Sequence, residues 1–181
     1  MTTYVALLRA VNVGGRNSIT MAALRGFFES LGYSGVQTLL QSGNVVFEAR
    51  TVSSATLEKR LEGETEKAFK LRVDYCVRTA WEWREIIARN PYPREAQRDP
   101  ARFVLICLKA TPSRSQLAAL RAAIVGRETI EPVERELYAV YPDGQGTSKL
   151  TNALIESKLQ TRATARNWNT VLKLAALAGV D

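Results

Sequence analysis

The sequence predicts an α+β protein built from two tandem ferredoxin-like (βαββαβ) plaits with extra helices. Three observations predict it. Apolar runs and amphipathic stretches follow one another as β-α-β-β-α-β up to residue 78, and the same order returns from residue 101. A tight-turn signal, Ser42-Gly43-Asn44, separates the second and third apolar runs, as a central hairpin requires. A proline-bearing stretch with Pro91, Pro93 and Pro100 lies between the halves. The implied organisation is a first subdomain over residues 1–78, a helix and connector over 79–100, and a second subdomain with a C-terminal helix over 101–181. One larger continuous sheet is the alternative.

Residues 4–11 read as a buried strand. Met21, Leu24, Phe27, Phe28 and Leu31 then recur at helical spacing, with Thr20 as N-cap, Ile19 and Leu24 as staple and Gly32 as terminator. Residues 36–40 and 45–48 form the hairpin strands, Leu57, Leu61, Ala68 and Phe69 mark a mixed-charge helix, and 71–78 is a strand. The helix at 81–89 carries Trp81 and Trp83, which are two apart and face different directions, so at most one is core. In the second half, 102–109 is a strand and Thr111-Pro112 opens a helix with proline at its first position. Its stripe is Leu117, Leu120 and Ile124, closed by Gly126; 129–133 and 137–141 pair, and 150–159 is a helix. A short extended piece near 162–165 is the fourth strand, before a helix with Trp168, Val171, Leu172 and Ala175.

Composition excludes more than it assigns. There are no histidines, which removes imidazole-based nucleophile pairs and imidazole metal ligands. Cys76 and Cys107 sit alone in apolar runs, as small buried hydrophobes do, and provide neither a zinc pattern nor a disulfide framework. No metal and no cofactor are expected. No apolar run is long enough to span a bilayer, and the first residues lack a basic leader, so a cytoplasmic protein without a membrane partner is expected. The net charge of +7 invites a nucleic-acid reading, yet the basic residues are dispersed on mixed-charge helices and the strands lack an RNA-recognition pattern.

Donor-rich loops remain. Gly14-Gly15 supplies a flexible turn between Asn12 and Asn17, and topology places it at the same end of the sheet as Ser42 and Asn44. Ser148-Lys149 ends a glycine-bearing segment that departs from the Walker pattern, because serine rather than glycine precedes the lysine. By the same topology it shares an end with Arg166 and Asn167. Arg166 suits bidentate capture of a carboxylate or phosphate; the alternatives are that Thr164 or Asn167 caps the last helix and Trp168 packs in the core.

Several segments together resemble an uncharacterised, mainly bacterial family, domain of unknown function 1697. They are Tyr4-Val5-Ala6-Leu7-Leu8-Arg9-Ala10-Val11-Asn12-Val13-Gly14-Gly15, Gln41-Ser42-Gly43-Asn44-Val45-Val46-Phe47, Ser148-Lys149-Leu150, and residues 164–174 with their Arg-Asn-Trp-Asn-Thr centre. The resemblance implies two consecutive ferredoxin-like subdomains and no established activity, cofactor or catalytic residue. The functional expectation is a protein that binds a small anionic or polar metabolite at Asn12, Gly14, Gly15, Ser42 and Asn44, or at Ser148, Lys149, Arg166 and Asn167. An enzyme on these loops would rely on Lys149, Tyr138, Tyr141 or a carboxylate for proton transfer. A basic nucleic-acid-binding plait and an interaction module with purely structural motifs are the alternatives.

Overall fold

A computed structural model of the chain describes residues 1–12 and 18–180. The first half runs β1 (Thr2–Leu8), α1 (Met21–Ser30), β2 (Ser34–Leu39), β3 (Asn44–Ala49), α2 (Ser54–Phe69) and β4 (Tyr75–Thr79). Helices α3 (Ala80–Ala88) and α4 (Pro93–Arg98) follow. The second half runs β5 (Phe103–Leu108), α5 (Arg114–Ala122), β6 (Thr129–Val133), β7 (Glu136–Val140), a 3-10 turn at Gln145–Thr147, α6 (Asn152–Leu159), β8 (Ala163–Asn167) and α7 (Trp168–Ala178). The protein is therefore mixed α+β, with two four-stranded sheets ordered β2-β3-β1-β4 and β6-β7-β5-β8. Every strand pairing is antiparallel. Two compact units result, one of residues 1–85 with 173–181, the other of residues 86–172. The chain passes between them inside α3 and again inside α7. No helix among the described residues is long and apolar enough to cross a membrane.

Several boundaries differ from the sequence expectation, each for a local reason. Strand β1 stops at Leu8 rather than residue 11, because Ala10 and Asn12 take left-handed φ values of 54° and 58°. Helix α5 starts after Ser113, not at Pro112: Ser113 and Gln116 form a capping box, which satisfies two N-terminal donors reciprocally. The proline connector contains α4, with Pro93 in its first turn. Strand β8 extends through Arg166 and Asn167, so these residues lie in a strand end rather than a loop.

The cores differ in kind. The first is aromatic: Phe28 packs edge-on against Phe47 at 5.0 Å and Tyr33 lies 4.9 Å from Phe47, beside Leu24, Leu57 and Leu61. The second is aliphatic, built on Val104, Ile106, Leu108, Leu120, Leu137, Ile155 and Leu159. In both central strands the residues facing away from these clusters are buried too, with Val5, Leu7, Leu105 and Cys107 at 0–1% exposure. Trp83 is buried while Trp81 is 65% exposed. The two-residue spacing anticipated that split.

Candidate functional site

The first loop cluster assembles as the topology implies. Leu8 N–H donates to Gly43 O at 2.8 Å, which ties the exit of β1 to the hairpin turn. Asn12 fastens the same place: its Nδ2 donates to Gln41 O (2.7 Å) and Ile19 O (2.9 Å), and its Oδ1 accepts from Ile19 N (2.9 Å). Asn44, fully buried, donates to Leu39 O at 2.7 Å and to Ser42 Oγ at 3.1 Å. The amide donors of Asn12 thus meet main-chain carbonyls. Gly43 holds φ of 74°, and a Cβ there would stand 2.8 Å from Leu8 Cβ, so glycine is required by both backbone and space. Gly14 and Gly15 lie outside the described residues.

The two strands that lead into the second cluster finish at one end of their sheet. Val140 at the end of β7 pairs with Phe103, and Asn167 at the end of β8 pairs with Val104, so both strands finish where β5 begins. Strand β5 lies between them, which sets the two ends about 10 Å apart, two strand spacings. Ser148 Oγ donates to the Glu128 carboxylate and accepts from Leu150 N at 2.9 Å. A carboxylate therefore already occupies the hydroxyl expected to receive an anion. Lys149 is exposed and its ammonium has no partner among the described residues. Arg166 is 8% exposed and donates to Thr164 Oγ1 (2.8 Å) and Ala165 O (2.7 Å). Asn167 Oδ1 accepts from Thr170 N and Thr170 Oγ1, each at 3.0 Å, capping α7. Thr79 does the same for α3, accepting from Glu82 N at 3.0 Å. Trp168 packs 4.8 Å from the Phe103 ring, and is core.

The tyrosines considered for proton transfer are engaged. Tyr138 OH donates to Ile86 O at 2.6 Å and Tyr141 OH to Leu150 O at 3.1 Å. Burial pushes both phenols well above the usual tyrosine range, with Glu136 and Glu128 respectively adding to the rise. Both are neutral near pH 7. Among the described residues no three acidic or cysteine side chains gather as a metal site.

A different place in the first unit joins open space to an uncommitted charge. A cavity of about 430 Å³ is walled by Leu31 and Tyr33 just before β2, by Ala49 at the end of β3 with Arg50 and Val52 after it, and by Leu57 and Arg60 on α2. Tyr4 OH positions the middle wall, donating to Val52 O (2.7 Å) and accepting from Val52 N (3.0 Å). The Arg60 guanidinium stacks over the Tyr33 ring at 5.4 Å and reaches Leu31 O at 3.4 Å. Arg50 is exposed and its side chain has no partner among the described residues. Tyr33 is 8% exposed, and its hydroxyl is buried without a hydrogen-bond partner. Burial raises its pKa, with Arg60 lowering it less than that, so the hydroxyl keeps its proton and stays a donor. Sequence reasoning missed these residues because they fall in three segments with no motif. The available signal was Arg50 alone, a cation between a strand and the N-cap Ser53.

The geometry can be set beside known proteins. Residues 1–138 match the family model described as "Protein of unknown function (DUF1697)". Among solved structures, the conserved bacterial protein SP0830 from Streptococcus pneumoniae matches with a TM-score of 0.78 and 22% identity, over 98% of each chain. At that identity the likeness concerns the fold. No curated protein matches.

Proposed function

We propose that this chain, which belongs to the family of unknown function DUF1697, binds a small anionic metabolite, and that it does so at the first-unit cavity. The observation that carries the reading is Arg50, a guanidinium on the cavity rim with no protein partner among the described residues. A guanidinium offers paired N–H donors that match a carboxylate or phosphate edge. The cavity volume falls within the range of about 300–1,000 Å³ usual for small-molecule sites. Arg60, held on Tyr33, adds positive potential at the same rim.

The loop clusters form a second reading, favoured by one observation, the exposed Lys149 whose ammonium has no partner among the described residues. One experiment addresses both. Thermal melts of wild type, Arg50→Ala, Arg60→Ala and Lys149→Ala are compared across carboxylated and phosphorylated metabolites. A ligand at a hundred times its Kd stabilises the folded state by about 2.7 kcal/mol. That rise is expected in wild type and in Lys149→Ala, and lost in Arg50→Ala. Loss in Lys149→Ala alone moves the site to the loops, and no rise with any anion sinks both readings.

We also propose that each unit is a ferredoxin-like plait and that the chain is a tandem pair. Corresponding hydrogen bonds support this. Arg9 N donates to Asp74 O as Lys109 N donates to Arg162 O. Tyr75 N donates to Glu62 Oε1 as Ala163 N donates to Glu156 Oε1. Arg78 and Arg166 each donate Nη1 to the carbonyl of the preceding residue.

A further inference from the structure

Resting on the anion reading above, we infer that the occupant of the first-unit cavity is an amphipathic organic acid, one carboxylate on an apolar body, rather than a sugar phosphate or free phosphate. The argument starts from what the walls leave unsatisfied. Leu57 and Ala49, at 2% and 4% exposure, are apolar, as are Leu31 and Val52 beside them. Several main-chain groups of these walls are spent. Val52 N and O are both held by Tyr4 OH, Leu31 O by Arg60, and Gly32 N and Tyr33 N by Glu29 O and Phe28 O. Tyr33 OH is the buried side-chain polar atom of the lining without a partner.

A hydroxyl-rich body placed against these apolar walls would lose water and find few partners beyond Tyr33 OH. Each such hydroxyl lowers affinity on the order of tenfold or more. An apolar body loses nothing of that kind and gains from leaving water. The head group follows from the rim. Arg60 is already stacked on Tyr33 and bonded to Leu31 O, which leaves Arg50 as the one uncommitted guanidinium of the lining. Arg50 therefore presents the unused N–H fork of the rim, and one fork makes a two-point contact with one carboxylate.

Calorimetric titration of wild type, Arg50→Ala and Val52→Trp with octanoate, octanol, octyl phosphate, glucose 6-phosphate and inorganic phosphate tests the inference. Val52 is 40% exposed, so tryptophan there fills the cavity mouth without entering the core. Wild type is expected to bind one octanoate at least tenfold more tightly than octanol or any phosphate. Arg50→Ala should erase the preference over octanol, and Val52→Trp should abolish binding of both. If glucose 6-phosphate, octyl phosphate or inorganic phosphate binds more tightly than octanoate and depends on Arg50, the organic-acid class is overturned while the anion reading stands. Octanoate binding that survives Val52→Trp overturns the placement. If no anion binds, the inference falls together with the reading beneath it.

Discussion

Glu58→Ala is expected to destabilise the protein by about 3–5 kcal/mol, the range for stripping one partner from a buried ion pair. Glu58 on α2 and Arg78 on β4 are 4% and 2% exposed, and their Oε1 and Nη1 atoms lie 3.7 Å apart. The same Glu58 Oε1 accepts the N–H of Val77 at 2.9 Å. Alanine leaves a guanidinium in a dehydrated position without this carboxylate, and the Val77 N–H without its acceptor. Water cannot reach either group to replace what is lost. The pair is not thereby a net source of stability, because both charges were desolvated to form it. Glu58→Leu combined with Arg78→Met should therefore cost less than the sum of the two single changes. Urea unfolding of the four proteins gives the coupling directly. A single-variant loss under about 1 kcal/mol, within the range of exposed pairs, would contradict this account.

Asn12→Ala is expected to cost about 2–4 kcal/mol. Three hydrogen bonds disappear, each contributing about 1 kcal/mol net. Alanine must also hold φ of 58°, a left-handed conformation that costs a non-glycine residue about 1–2 kcal/mol and that asparagine tolerates better. Asn12→Gly separates the two contributions: it removes the amide but relaxes the backbone, and should be less damaging than alanine by about 1 kcal/mol. Faster hydrogen exchange at Ile19 N–H is the local readout, since Asn12 Oδ1 is its acceptor. A loss under about 1 kcal/mol in Asn12→Ala would overturn this account.

The elements that carry their own local chemistry were legible. Thr20 caps α1 by accepting from Ala23 N, as its position before an apolar stripe implies. The hairpin follows from Ser42-Gly43-Asn44, and Gly32 takes the φ of 82° that ends a helical segment. Arg166 and Asn167 were misread as loop because strand β8 is polar. Its conformation is set by pairing with β5, whose partner residues lie some sixty positions earlier in sequence. The same limit governs the site. Side-chain donors are visible in a sequence, but the carbonyls that consume them are not. Asn12 spends its amide donors on main-chain carbonyls, and Asn167 uses its amide oxygen to cap α7. Arg50, Arg60 and Tyr33 come together through the packing of α2 against the sheet, and no spacing announces it.

The division of the chain has a consequence for synthesis. Residues 173–181 belong to the same unit as residues 1–85, with the whole of the other unit between them in sequence. At about 5–20 residues per second, the 88 positions from 86 to 173 take roughly 4–18 s to translate. Throughout that interval the first unit lacks Leu174 and Ala175, which finish at 0% and 4% exposure, and the surface they will cover stays open to chaperones and to neighbouring nascent chains. The second unit's residues are all polymerised before the first can close, so the half that begins first is the half that finishes last.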